Sequence, residues 1–242
     1  MYNFKYVTKA EARKVRENLE KLVHEVQDEV RDNFTFRYYF IGSSARNMIT
    51  YDPTTNIGFD FDVNLEVNDN AGQYSAKKVR KTLEHAFQKV YGKYGYTHFE
   101  NSKRVFTIKL HDSQKRKIIH SCDIAIVNNF IDEEGIEGQE YIAFDKIRGS
   151  YSWEMQPEGF EIKEKEIFLR SQQADAWIAV RKRYLQKKNM NWEKSKHSRS
   201  LYAEAVKEIY DQYKSENRKP KYAEGYHSIW ENQLKKPPKA DN

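Results

Sequence analysis

Residues 59–67, with the sequence FDFDVNLEV, alternate strictly between apolar and polar side chains. Successive side chains of a β-strand point to opposite faces, so this run predicts a strand with one apolar and one polar face. The apolar face carries Phe59, Phe61, Val63, Leu65 and Val67, and the polar face carries Asp60, Asp62, Asn64 and Glu66. Asp60 and Asp62 are therefore expected to project side by side, roughly 6.5–7 Å apart along the backbone.

Two carboxylates at this spacing can share a divalent cation. Magnesium prefers oxygen ligands and is usually held by one or two carboxylates together with substrate phosphates. A third acid, Asp123, lies in the strand-like run of residues 117–127, where an apolar neighbourhood makes a lone acid unfavourable without a partner. We predict a site for Mg²⁺ or Mn²⁺ in which Asp60, Asp62 and Asp123 are both metal ligands and catalytic residues. An exposed edge strand is the alternative interpretation of the acidic pair alone.

Gly42 and Ser43 follow another strand-like run, residues 34–41, at a point where a short helix can begin. Glycine lets a backbone approach a ligand closely, and backbone N–H groups together with a serine hydroxyl can hold phosphate oxygens. Neither GxGxxG nor GxxxxGK[ST] occurs in the sequence, which excludes a Rossmann fingerprint and a Walker P-loop. Gly42 and Ser43 are the predicted nucleotide-binding residues of a different phosphate site.

The other elements indicate an α+β fold, with a mixed central β-sheet flanked by helices and followed by a helical C-terminal part. Thr8 and Glu11 form a predicted capping box for a helix that ends near Asn33. A helix over residues 75–91 and a hairpin of residues 104–110 and 117–127 follow, and then helices over 163–188 and 195–213. We expect a core of residues 1–150, a helical part of 151–215 and a basic, partly flexible tail of 216–242. Four basic residues of the second helix are interpreted as a solvated face: Lys77, Lys78, Arg80 and Lys81.

Composition favours a cytoplasmic protein without a membrane partner. No apolar stretch approaches the roughly 18–20 residues of a membrane helix, and the N-terminus lacks the apolar segment of a secretory signal. Cys122 is the single cysteine, which excludes an intramolecular disulfide and a four-cysteine zinc site, and we expect it in the core. A net charge of +6 favours polyanions such as nucleic acid or nucleoside triphosphates, and an ordinary solvated surface is the alternative.

The order of Gly42-Ser43, Asp60-Phe61-Asp62 and Asp123 resembles the DNA polymerase β-like nucleotidyltransferase superfamily, over residues 34–127. The layout is similar to the oligoadenylate synthetase and bacterial cyclic-oligonucleotide synthase groups. The resemblance implies that Gly-Ser binds the triphosphate, that the three acids bind magnesium, and that a lysine and a serine of the helical part touch the triphosphate. Lys182 and Ser198 are the candidates for those two positions, and a plain surface role is the alternative.

The leading hypothesis is an enzyme that transfers a nucleoside monophosphate from a triphosphate to a hydroxyl of a nucleotide, an RNA or a protein, with release of pyrophosphate. A nucleotide- or RNA-binding module that kept the fold without turnover, as a sensor or regulatory partner, is the second hypothesis. A scaffold whose basic tail recruits acidic partners is the third.

Overall fold

The computed structural model describes residues 2–55, 58–68, 73–157, 161–172, 174–191, 193 and 195–217. Two compact units are present. The first comprises Met1–Gly159 with Lys188–Glu193, and the second comprises Phe160–Lys187 with Lys194–Asn242. Among the described residues, the strands and the helices that precede residue 158 belong to the first unit, whereas the described part of the second is helical. The predicted α+β class with a helical C-terminal part is therefore confirmed.

The helices and strands are numbered in chain order. The helices are α1 (Lys9–Val30), α2 (Gly42–Ala45), α3 (Ala76–Val90), α4 (Lys163–Ser171), α5 (Ala174–Met190) and α6 (Ser198–Asn217). The strands are β1 (Lys5–Tyr6), β2 (Phe36–Ile41), β3 (Thr50–Tyr51), β4 (Phe59–Val67), β5 (His98–Asn101), β6 (Val105–Asp112), β7 (Lys117–Ile131), β8 (Glu137–Asp145) and β9 (Ser150–Met155).

The main sheet is mixed, and its strand order is β2-β4-β7-β6-β5. Among the described strands of this sheet, only β4 and β7 pair in parallel, whereas β2, β6 and β8 pair antiparallel with their neighbours. β7 is long enough to pair with β6 over its first part and with β8 over its end, and β9 extends the sheet beyond β8. β1 and β3 form a separate two-stranded sheet.

One face of the main sheet packs against α1 and α3 to form the core. The predicted capping box begins α1, because the Thr8 hydroxyl accepts from the Glu11 backbone and the Glu11 carboxylate accepts from the Thr8 backbone. The strand β4 has the bounds and the alternation predicted from its sequence. The buried faces of α1, β4 and α3 meet in one cluster that includes Leu19, Leu22, Val26, Phe61, Val63, Leu65, Val79, Leu83 and Phe87.

Three predictions for the elements were wrong or incomplete. The single helix over 163–188 is two helices, because Gln172 adopts an extended backbone and the side chains of Ser171 and Gln172 donate to the Phe168 carbonyl. The last helix begins at Ser198, three residues later than predicted. The strands β8 and β9 were not predicted, and they depend on pairing with the distant end of β7. The tail prediction for 216–242 falls almost entirely outside the described residues.

Within the described chain, no helix has the length and apolarity that crossing a membrane requires.

Arg80 corrects the prediction that the polar residues of α3 form a solvated face. Its side chain is completely buried, and its Nε donates to the Glu84 carboxylate at 2.7 Å. Its guanidinium also donates to the carbonyl of Ser102 at 3.3 Å, and the Asn101 amide donates to the same Glu84 oxygen that Arg80 contacts. The ion pair therefore ties α3 to the turn between β5 and β6.

We predict that Glu84→Ala destabilises the protein by about 3 kcal/mol, because a buried guanidinium loses its counter-charge. Urea unfolding followed by circular dichroism measures the change. Glu20→Ala is the control, since it breaks the exposed pair between Arg16 and Glu20 at 2.9 Å, and it should cost less than about 1 kcal/mol. Equal costs for the two variants would contradict the structural role of the buried pair.

Candidate active site

The parallel pairing of β4 with β7 brings the three predicted acids to one face of the sheet. The register places Asp62 opposite Asp123 and Asp60 opposite Ser121. Neighbouring strands lie about 4.8 Å apart, and alternate residues of one strand share a face. Asp60, Asp62 and Asp123 therefore occupy adjacent positions on the face opposite the core.

Hydroxyl groups from the sheet orient two of these carboxylates. Thr107 lies opposite Asp123 on β6, and its Oγ1 donates to the Asp123 Oδ1 at 2.6 Å. The Ser121 hydroxyl donates to Asp60 in the same way. Hydrogen bonds to a charged carboxylate are stronger than bonds between neutral groups. Neither Thr107 nor Ser121 was predicted from the sequence, because only the pairing of β4, β7 and β6 assigns each hydroxyl to its acid.

The acids crowd negative charge into a partly buried place. Burial, followed by the charges of Asp123 and Asp60, raises the pKa of Asp62 to about 6, and Arg46 opposes the shift. Burial also raises the pKa of Asp123, although the Thr107 hydrogen bond acts in the opposite direction. A raised pKa means that the surroundings disfavour the carboxylate, and a nearby cation reverses that effect. The electrostatics of the site therefore favour binding of a positive charge.

Gly42 lies directly against Asp62. Antiparallel pairing places Ile41, the last residue of β2, opposite Asp62, and α2 begins at the next residue. Gly42 has a φ of +63°, and a Cβ at this position would lie 2.6 Å from Asp62 Oδ2. Both observations require glycine here. Ser43 follows on α2, and its carbonyl accepts from the Met48 backbone at 2.8 Å. The structure thus brings Gly42-Ser43 to the acids.

The sequence did not single out Lys188 from its basic neighbours. Lys188 belongs to the first compact unit, and its Nζ donates to Thr50 Oγ1 at 2.6 Å and lies 4.3 Å from the centre of the Phe4 ring. Burial lowers the pKa of Lys188 to about 8, and the charge of Asp60 opposes that shift. Lys188 is one of several lysines in a basic run, and nothing in that run distinguishes it.

The other predicted residues of the helical part lie in the second compact unit. Lys182 lies on α5, and Ser198 is the first residue of α6. Their predicted contact with a triphosphate stays a prediction. Two basic neighbours on α5 are engaged within this unit, since Arg183 donates to Glu208 at 2.6 Å and Lys187 donates to Glu204 at 3.0 Å.

Cys122 and His120 face the core, as the alternation along β7 requires. Cys122 is 1% exposed, and burial raises the pKa of its thiol. His120 contacts the rings of Phe59 and Tyr96, and burial lowers its pKa to about 4. A buried, neutral imidazole on the opposite face of the sheet cannot serve the acids, and Cys122 lies in the core as expected.

The donor set of the acids suits magnesium in part. Among the described residues, no three His, Cys, Asp or Glu side chains converge closely enough to hold a metal by themselves. Magnesium usually takes only one or two protein carboxylates and completes its shell with phosphate oxygens and water. The crowded carboxylates of Asp60, Asp62 and Asp123 fit a cation that arrives with a nucleotide, rather than a closed structural metal site.

We predict that Gly42→Ala reduces catalytic turnover by about a hundredfold while the protein stays folded, because the added methyl group displaces the Asp62 carboxylate. Turnover and the circular dichroism spectrum should be measured together. Gly92→Ala is the matched control, since a Cβ at Gly92 meets nothing within 4 Å. Full activity in Gly42→Ala would show that the close approach to Asp62 is unimportant.

We also predict that Asp62→Asn stabilises the metal-free protein. The substitution removes one of three clustered negative charges, and the shift of the Asp62 pKa from 3.8 to about 6 corresponds to a gain on the order of 1–2 kcal/mol after solvent screening. Thermal unfolding at pH 8 with a chelator tests this. Glu17→Gln, at a side chain that is 60% exposed, controls for the loss of a charge and should change stability little. A lower melting temperature for Asp62→Asn would contradict the repulsion.

Comparison with known proteins identifies the fold. No protein-family model and no curated protein sequence matches the chain. The STING-associated c-di-GMP synthase CdnE of Capnocytophaga granulosa matches with a TM-score of 0.52 and 16% identity, over 84% of this chain and 60% of that one. The GTP-bound form of DncV from Vibrio cholerae matches with a TM-score of 0.51 and 19% identity, over 84% of this chain and 52% of that one. This chain therefore spans 60% or less of the length of these two structures, and it has the nucleotidyltransferase fold of cyclic-dinucleotide synthases that its polymerase β-like motifs predicted.

Proposed function

We propose that this protein is a metal-dependent nucleotidyltransferase, which transfers a nucleoside monophosphate from a nucleoside triphosphate to a hydroxyl group and releases pyrophosphate. The observation that carries the proposal is the placement of Asp60, Asp62 and Asp123 at adjacent positions of one sheet face, with Gly42 so close to Asp62 that a Cβ at position 42 would collide with its carboxylate. The basic Lys188 lies close enough to Asp60 for their charges to interact. Phosphoryl and nucleotidyl transfer use carboxylates that bind a metal ion, backbone N–H groups that bind phosphate, and a positively charged side chain.

Each residue has a distinct role in this proposal. Asp60, Asp62 and Asp123 would hold magnesium or manganese together with the substrate phosphates, and the ion would supply positive charge to the attacking hydroxyl and the leaving pyrophosphate. Ser121 and Thr107 fix the orientation of Asp60 and Asp123. The Gly42-Ser43 backbone binds phosphate oxygens beside Asp62, and Lys188 contributes positive charge to the triphosphate. Lys182 and Ser198 remain candidates for further contacts with the triphosphate.

A second nucleotide is the acceptor that we favour. CdnE is a c-di-GMP synthase, and DncV was solved with GTP bound. A product of that kind joins two nucleotides, so the acceptor hydroxyl belongs to a nucleotide. RNA and protein hydroxyls are alternative acceptors, and the assay must include RNA.

The non-catalytic nucleotide-binding module is the second candidate. It is favoured by the absence, in the described part of the chain, of three acidic, His or Cys side chains that already converge on a metal position. This candidate predicts nucleotide binding that does not need a divalent cation and that survives changes at Asp123. The intact set of three acids favours catalysis.

We predict that the protein, given all four ribonucleoside triphosphates with Mg²⁺ or Mn²⁺, releases pyrophosphate and forms a new nucleotide product. Asp60→Ala, Asp62→Ala and Asp123→Ala should each lower the rate about a thousandfold or more, because each removes a carboxylate that carries the metal. Coupled pyrophosphate detection and mass spectrometry of the products, with and without RNA, measure the outcome.

The control is Glu66→Ala, since Glu66 lies on the same face of β4 and contacts Tyr39 at 2.8 Å rather than the acids. It should keep nearly full activity. Nucleotide binding without turnover in the wild type, undiminished by a chelator, would replace the enzyme proposal with the binding module.

A further inference from the structure

The N-terminal segment, residues 2–7, pairs with β3, the strand that precedes β4 in the chain. Lys5 and Tyr6 form β1 and pair antiparallel with Tyr51 and Thr50 of β3. The backbone N–H of Val7 donates to the Ile49 carbonyl at 2.9 Å. β3 contacts β4, the strand that carries Asp60 and Asp62, so the N-terminal segment lies near the candidate active site.

Asp52 holds this arrangement in place. Its side chain is completely buried. It accepts from the Asn3 backbone at 3.1 Å, from the Thr54 backbone at 2.8 Å and from the Thr54 hydroxyl at 2.6 Å. Burial raises the pKa of Asp52, but these hydrogen bonds and the nearby charge of Lys117 lower it by more, so the pKa lies below its usual value. A buried carboxylate with three donors is a strong structural link between the N-terminal segment and the loop before β4.

The same segment binds the chain around Asn189. The Phe4 backbone N–H donates to Asn189 Oδ1 at 2.6 Å, and Asn189 Nδ2 donates to the Phe4 carbonyl at 3.2 Å. The Asn189 amide thus pairs with both backbone groups of Phe4, as a neighbouring strand would. These are contacts between positions 185 residues apart, and both partners belong to the first compact unit.

Asn189, through its pairing with Phe4, fixes a residue that contacts Lys188. The Phe4 ring lies under the Lys188 ammonium group, with 4.3 Å from Nζ to the ring centre, and Thr50, the β3 partner of Tyr6, accepts from Nζ at 2.6 Å. The N-terminal segment therefore provides Phe4 itself and pairs with the strand that carries Thr50. A free lysine side chain has many rotamers, and holding it in one of them before the ligand binds reduces the entropy that binding must overcome.

We propose that residues 2–7 form a clamp that holds Lys188 beside the acids, ready for the phosphates of the triphosphate, and that Phe4 and Asn189 are positioning residues for this lysine. The inference rests on the proposed function. It adds positioning residues that lie outside the strands carrying the acids. The ligand class is the polyphosphate of a nucleoside triphosphate. The clamp acts on binding of this polyphosphate rather than on the chemical step.

Asn189→Ala tests the clamp, because it removes both hydrogen bonds to Phe4 and leaves Lys188 in the chain. We expect the KM for the triphosphate to rise about fivefold with kcat changed less than about twofold, since a binding contact becomes disordered. Lys188→Met should raise the KM at least as much. In the Lys188→Met background, Asn189→Ala should add nothing, because the lysine that it positions is already absent. Met190→Ala is the control, at an adjacent side chain that is 71% exposed.

A second measurement does not depend on catalysis. Amide hydrogen exchange over residues 2–7 reports the Phe4 N–H directly, and it should accelerate in Asn189→Ala and stay unchanged in Met190→Ala. Accelerated exchange with an unchanged KM, or additive effects of Asn189→Ala and Lys188→Met, would overturn the positioning role while the nucleotidyltransferase proposal stands. Unchanged exchange would overturn the clamp itself. A wild-type protein without turnover would instead remove the proposed function, and the exchange result would still decide whether the clamp exists.

Discussion

Parallel pairing of β4 with β7 is the constraint on which the site depends. It sets Asp62 opposite Asp123 and leaves Asp60 on the same face. Carboxylates in this arrangement repel one another, and the raised pKa values of Asp62 and Asp123 record that repulsion together with burial. The sheet holds them because its opposite face is fixed by a core of Phe61, Val63 and many other apolar side chains. The core therefore holds the carboxylates close together although they repel one another, and a bound cation would reduce that repulsion.

The surroundings of the acids show how neighbouring strands complete the site. β6 contributes the Thr107 hydroxyl to Asp123, and β7 contributes the Ser121 hydroxyl to Asp60. β2 ends opposite Asp62, so the turn into α2 must pass close to that carboxylate, and only glycine at position 42 allows the approach. The N-terminal segment adds Phe4, which lies against Lys188. The carboxylates, the hydroxyl groups and the Lys188 ammonium group therefore come from separate parts of the chain, which the fold brings together.

The fold was largely predictable where one local pattern dominates. Strict alternation identified β4 with its bounds, and the capping box at Thr8 identified the start of α1, because both signals arise within a few residues. Prediction was weaker where partners lie far away in sequence. β8 has a polar beginning and a short apolar run, and it becomes a strand by pairing with the end of β7. The sequence predicted a solvated Arg80, whereas the structure buries it and pairs it with Glu84, Asn101 and Ser102.

The sequence by itself determined which face of β4 carries the acids, since the period of a strand leaves no other placement for Asp60 and Asp62. It also determined the order of Gly42-Ser43, the acidic pair and Asp123, which predicted the nucleotidyltransferase fold. Only the tertiary structure decided that Lys188 contacts Thr50 and Phe4, that Thr107 and Ser121 each orient one acid, and that Asp52 is buried. These contacts join residues that are distant along the chain, and local periodicity carries no information about which distant residues a folded sheet brings together.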